Sequence, residues 1–235
     1  MASSDRDRTT VAAIKKLILD RRLTPGDPMP TESELMETLD VSRSSVREAV
    51  RTLVALDILQ VRHGTGTFVG GMSLRPLVEA MVFRGILSPG DSFDSLREVV
   101  EVRMGLDFAL APRVVESLAG SDATQLEAYV DGMTASAARN ERFLDDDRAF
   151  HLDLSGRLDN RLYAELVAAF WDIHKSTAPS LGMVNRRDLA ETAAAHGAML
   201  RTAQAGDLDG YRAAITDHYA PLLRVLADQA QQQAS

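Results

Sequence analysis

The pattern of this chain predicts a mainly α protein: an N-terminal winged helix-turn-helix with a small β-hairpin, then a C-terminal all-α helical bundle. Three observations carry that expectation. Helical periods open the chain, and a capped Ser42-Arg43-Ser44-Ser45-Val46-Arg47 helix start follows two of them. Just behind it, Arg62-His63-Gly64-Thr65-Gly66-Thr67-Phe68-Val69 places two glycines between short β-type segments. Beyond residue 95 the chain is rich in Ala and Leu, strong helix formers, and no strand signal of comparable strength returns.

The first helix is marked over Thr9–Asp20 by Val11, Ile14, Leu17 and Ile18. Thr24-Pro25-Gly26-Asp27 breaks it. Thr31 then serves as N-cap of a second helix, with Glu34 at the reciprocal position of a capping box, running to about Leu39. Asp40-Val41 turns the chain, and Ser42 caps a third helix reaching roughly Leu56. Gln60-Val61-Arg62 and Thr67-Phe68-Val69 form the hairpin, and Gly70-Gly71 reads as a short hinge. Helices are then expected near 74–87, 93–119, 121–138, 141–157, 160–176, 186–205 and 208–230, with Pro112 kinking or interrupting the second and a polar, frayed tail from Gln229. Two domains follow, a DNA-binding head over 1–71 and a helical domain over 72–235.

Composition narrows the function. The net charge is −8, but residues 1–75 carry 11 Lys and Arg against 10 Asp and Glu, so the acidic surplus lies in the remainder. A local basic stripe, rather than a basic whole protein, is what phosphate binding needs. Cysteine is absent, which excludes a disulfide framework and thiolate chemistry. No apolar run reaches the ~18 residues of a membrane span, and Met1 to Thr10 lacks the apolar core of a signal peptide, so a cytoplasmic protein without membrane association is expected.

A recognition helix presents its first residues to base edges in the major groove. Here those are Ser42, Arg43, Ser44, Ser45 and Arg47. Arg43 and Arg47, four apart, share one face, and an arginine fork suits guanine O6 and N7. The serines and Thr67 suit phosphate; Gly64 and Gly66, with Thr65 between them, let the hairpin turn tightly and approach the backbone or minor groove, and His63 stands at its base. The bland alternative is a solvated, salt-bridged helix face, which the joint occurrence of helix start, turn and wing argues against.

Four further histidines lie in the C-terminal part. Asp147 and His151 are four apart and so project from one face of a helix. His196 stands about as far before the Gly206-Asp207 turn as His218 stands after it, which in an antiparallel hairpin brings them to nearly the same height. Asp147, His151, His196 and His218 together suit a divalent ion such as zinc, nickel or manganese. Spacing alone leaves that reading level with four separately satisfied polar residues. His174 has no such spacing and reads as core-edge or surface.

The stretches Leu23–Glu32, Val41–Ala49 and Arg62–Val69 together resemble the GntR family of bacterial transcription regulators. Ser33 departs from the pattern, which often has arginine there, so one DNA contact and the preferred operator are expected to differ. Residues 75–230 look like the helical effector domain of its FadR subgroup, the FCD domain. That resemblance implies that Asp147, His151, His196 and His218 are metal ligands. It also implies that Arg103, in Glu101-Val102-Arg103, pairs with an effector carboxylate. The function expected is a ligand-responsive regulator and not an enzyme: a repressor that binds a palindromic operator as a homodimer and is modulated by a small carboxylate at the metal site. Two alternatives carry less. A metal-free pocket for an acyl-CoA leaves the Asp/His set without a purpose, and a metal-dependent hydrolase lacks a general base at recognisable spacing.

Overall fold

The computed structural model describes residues 2–87, 92–177 and 185–233. They divide into two compact units, 1–76 and 77–235.

The first unit holds α1 (Ala2–Asp20), α2 (Glu32–Leu39), α3 (Arg43–Ala55), β1 (Leu59–Arg62) and β2 (Gly66–Val69). α1 starts at Ala2, seven residues before the apolar period begins at Thr9. Thr31 caps α2 in a complete capping box with Glu34, and Ser42 caps α3 by accepting the Ser45 amide. Between them Asp40 takes a left-handed conformation (φ 51°), which Asp tolerates and which turns the chain sharply. Ile14, Leu17, Leu35, Val46, Ala49, Leu53, Leu59 and Val69 make one core from all three helices and both strands. The strands pair antiparallel, from Leu59 opposite Val69 to Arg62 opposite Gly66. The sequence reading missed a third partner: Gly26 and Met29 donate to the carbonyls of Val69 and Thr67, so the supposed breaker segment lines the outer edge of β2.

Gly70-Gly71 is not a free hinge. The Gly70 amide donates to the Ile58 carbonyl, and a Cβ at residue 70 would lie 2.3 Å from the Asp57 carbonyl oxygen. Asp57 also accepts the amide and hydroxyl of Ser73 through one carboxylate oxygen, at 2.9 and 2.6 Å. Glycine is thus required by close backbone approach, and the chain leaving the wing is tied down.

From residue 75 onward the elements among the described residues are all helices: α4 (Arg75–Leu87), α5 (Ser92–Leu118), α6 (Thr124–Ala138), α7 (Leu144–Gly156), α8 (Arg161–Thr177), α9 (Arg186–Gln204) and α10 (Leu208–Gln233). α5 runs without interruption through Pro112, and α10 through Pro221, which the sequence reading passed over. A proline removes one bond of the helical ladder, and both helices carry that loss without breaking. α10 also continues past Gln229 to Gln233, consistent with the helical preference of Gln and Ala. α10 packs against α9 and α5, while α6 packs on α9 and α7, and α8 on α7 and α5. Their shared core includes Leu118, Leu126, Met133, Phe150, Met199, Ile215 and Tyr219. Gly206, left-handed at φ 72°, reverses the chain between α9 and α10. No helix among the described residues is long and apolar enough to cross a membrane.

Gly70→Ala should destabilise the first unit by about 1–3 kcal/mol, the usual cost of forcing an extra carbon into a packed site. Urea unfolding followed by circular dichroism measures this, and an unchanged midpoint would show that Asp57 and Ile58 move aside freely.

Candidate functional site

Two surfaces emerge, one in each unit. On the first, the buried side of α3 is Val46, Ala49, Val50 and Leu53, which leaves Arg43, Ser44 and Arg47 exposed and Ser45 half-buried. Ser42 draws the hydroxyls of Ser44 and Ser45 to 2.9 and 3.0 Å, grouping three hydroxyls at the positive end of the helix. Arg51, one turn beyond Arg47, is held by Glu48 at 3.4 Å. Among the described residues neither Arg43 nor Arg47 has an acidic partner, so both guanidiniums remain available to an outside acceptor. His63, Gly64 and Thr65 form the exposed hairpin tip, with Gly64 at φ 74°; Thr67 is half-buried, its carbonyl taken by Met29. Arg62 was not singled out from sequence. It lies 4.2 Å from the centroid of the Phe68 ring and donates to Gln60, which holds a cation at the base of the wing.

The second surface is internal. α7 delivers Asp147 and His151 from one face, α9 delivers His196 and α10 His218, and all four are buried. His196 Nε2 lies 2.9 Å from Asp147 Oδ1 and 3.3 Å from His151 Nε2, and His151 Nε2 lies 3.4 Å from the same oxygen. The ring centroids of His196 and His218 are 4.5 Å apart, as their matched distances from the α9–α10 turn imply. The register of that hairpin is fastened further along, where Arg224 on α10 bonds Asp188 on α9 at 2.8 Å.

Electrostatics prepare these groups to bind a cation. Burial works against a charge on Asp147, yet His196 and His151 beside it hold its carboxyl well below the usual range. Burial, with the Arg103 charge nearby, pushes His151 down to about 4, and burial with the neighbouring imidazoles pushes His218 well below its ordinary value. Both rings are therefore neutral at pH 7 and offer lone pairs. His196 Nδ1 is 2.8 Å from the Thr192 carbonyl, which can only accept, so that nitrogen carries the proton and Nε2 faces inward. An imidazole nitrogen and a carboxylate oxygen at 2.9 Å need a proton or a cation between them. Ligand atoms of His151, His196 and His218 all lie within 4.8 Å of one another, a set that could hold a metal ion.

A cavity of about 120 Å³ adjoins this cluster and shares Asp147 and His218 with it. Arg103, Arg142, Phe143, Trp171, His174, Asp188, Thr192 and Tyr219 supply its other polar or aromatic walls, and Leu144, Leu189, Pro221, Leu222 and Val225 its aliphatic ones. Arg103 is 7% exposed, and its Nε and Nη2 have no hydrogen-bond partner. Burial opposes its charge, but the Asp107 and Asp147 carboxylates nearby keep the guanidinium cationic. Glu101, by contrast, is exposed and paired with Arg97 at 3.1 Å, so it takes no part in the cavity. His174 is half-buried, as a core-edge position would be, yet it sits on the cavity wall with its ring edge-on to Trp171 at 5.4 Å. Sequence spacing missed it, along with Trp171 and Tyr219; the available signal was the Trp171–His174 separation of three on one helix.

Comparison with known proteins agrees with this division. Residues 7–69 match the model of bacterial regulatory proteins of the gntR family, and residues 98–221 match the FCD domain. The chain is 24% identical to the galactonate operon transcriptional repressor of Escherichia coli (strain K12) over 85% of its own length and 86% of that protein. It is 27% identical to the HTH-type transcriptional regulator LutR of Bacillus subtilis (strain 168), over 64% of its own length and 67% of that protein. Among solved structures, a Streptococcus agalactiae GntR superposes with a TM-score of 0.60 at 25% identity, covering 93% of this chain and 99% of the other.

Zinc, nickel or manganese at a hundredfold excess over its dissociation constant should add about 2.7 kcal/mol to the stability of the parent protein. His196→Ala should abolish that gain and lower the metal content found by elemental analysis. A parent melting temperature indifferent to all three ions would remove the metal assignment.

Proposed function

The chain belongs to the GntR family of bacterial regulatory proteins, with an FCD effector domain, and is a DNA-binding transcription regulator rather than an enzyme; from that premise we propose that it is a repressor controlled by a small carboxylate. A homodimer places one α3 in the major groove of each half of a palindromic operator, with Arg43 and Arg47 reading bases. Ser42, Ser44, Ser45 and Thr67 hold phosphates, and the His63-Gly64-Thr65 tip follows the backbone or the adjacent minor groove. A protein with these partners works where the DNA is, in the cytoplasm.

One observation carries the effector reading: a buried guanidinium with two unpartnered nitrogens faces a small cavity that shares residues with an Asp/His cluster. Unmatched buried donors cost free energy, and a carboxylate would satisfy both in one bidentate contact. Zinc, nickel or manganese, held by Asp147, His151, His196 and His218, would supply a second positive centre for the same ligand. The chain's own residues do the rest: Arg103 orients the carboxylate, while Trp171 and the aliphatic wall exclude water. The galactonate operon named for one relative is consistent with a short carboxylate effector. A cavity of about 120 Å³ also suits a small ligand, since a comparable ~150 Å³ cavity takes a molecule the size of benzene. Ligand binding then acts by favouring one of two arrangements of the paired heads, and it shifts operator affinity only through its differential affinity for them.

Arg47→Ala should weaken operator binding by about 1–3 kcal/mol with the fold intact, measured by fluorescence anisotropy on labelled operator. Undiminished sequence-specific binding would sink the recognition-helix assignment. Arg103→Ala should abolish the release of operator by short carboxylates while leaving ligand-free operator affinity unchanged. Equal loss of both would make Arg103 a structural residue.

A further inference from the structure

Arg103 and Asp107 stand one turn apart on α5, and each is only 7% exposed. Opposite charges at that spacing are neighbours, and in a poorly solvated interior their attraction is strong. Yet no ion pair joins them among the described residues. Asp107 is engaged elsewhere: Tyr163 from α8 donates its hydroxyl to Oδ1 at 2.8 Å, and Tyr219 from α10 donates to Oδ2 at 2.5 Å. Burial and the Asp107 charge raise both phenols far above their ordinary range, so both remain donors. Arg103 turns instead to aromatic faces, 4.9 Å from the Trp171 centroid and 5.5 Å from that of Tyr219.

We propose that Tyr163 and Tyr219 are positioning residues that withhold Asp107 from Arg103, so that the guanidinium stays free to receive a ligand carboxylate. The functional half rests on the carboxylate reading above. Each tyrosine occupies one carboxylate oxygen, and their two helices fix where those oxygens point. The arrangement forgoes a buried ion pair, and the ligand restores the missing partner. Removing the Tyr163 hydroxyl leaves its ring in the core but releases Oδ1. Arg103 can then pair with its own helix neighbour, which stabilises the ligand-free protein and blunts ligand binding.

The test is a double-mutant cycle on the full chain at fixed metal loading. Melting is followed by the fluorescence of Trp171, the chain's one tryptophan, which packs against Arg103. Parent, Tyr163→Phe, Arg103→Met and the double variant are compared. Arg103→Met should cost about 2–4 °C more in the Tyr163→Phe background than in the parent. Equal shifts in both backgrounds overturn the proposal. Should Tyr163→Phe fold poorly, Tyr219→Phe releases the other oxygen and is expected to show the same coupling. Acetate is the second arm: it should raise the parent melting temperature, and the rise should fall at least twofold in Tyr163→Phe. An undiminished acetate response overturns the withholding role. A coupled cycle with no acetate response in the parent overturns the carboxylate reading while leaving the Asp107 clamp in place.

Discussion

Polar groups removed from water must find partners, and the effector unit of this chain is organised around that demand. Asp147, three imidazoles, Arg103 and Asp107 are all buried within one helical bundle. Each unmet hydrogen bond or charge there would cost more than an ordinary core contact returns. The bundle meets the demand in two ways. Asp107 is satisfied internally by two tyrosines from distant helices. The histidine cluster and Arg103 are satisfied only in part, since His218 Nδ1 and two Arg103 nitrogens lack partners. Incomplete satisfaction inside an otherwise well-packed unit marks where an outside group fits.

The DNA-reading unit solves the opposite problem, which is keeping polar groups exposed in a fixed geometry. A unit of three helices and a two-stranded hairpin has a small core, so local devices carry much of its definition. The Thr31–Glu34 capping box, the Ser42 cap and the left-handed Asp40 fix where α2 ends and α3 begins. Once Val46, Ala49, Val50 and Leu53 face the core, Arg43 and Arg47 must face outward, because the helical period allows nothing else. Gly70, pressed against the Asp57 carbonyl, anchors the wing to the end of α3 in the same economical way.

A transcription regulator needs its effector site to be less than fully content. A cavity whose donors were all paired would be more stable, and it would have nothing to gain from a ligand. Holding Asp107 away from Arg103 preserves that gain. The cost stays local because Trp171 and Tyr219 cover the guanidinium with aromatic surface. The same logic explains two carboxylates at different stations: Asp147 turns toward the imidazoles, and Asp107 is closed off by hydroxyls.

Much of this molecule was legible in its sequence. The helix order, the caps, the hairpin and the family all follow from signals within a few residues of one another, where backbone chemistry and helical period decide the outcome. The Asp147–His151 pair was local, and the His196–His218 match needed only one turn at Gly206, so spacing could set each pair at a common face or height. What spacing left undecided was whether those side chains met one another or separate partners. Three features were beyond its reach: the pinning of Gly70 by a backbone carbonyl, the placing of His174 and Trp171 on the cavity wall, and the clamp on Asp107. The tyrosines of that clamp lie 56 and 112 residues from it along the chain. Such contacts depend on the rotation and depth at which whole helices pack, which is set by the combined fit of many side chains. Local rules therefore determined which elements exist and which faces they present, and tertiary packing alone decided which buried charges are paired and which are left open.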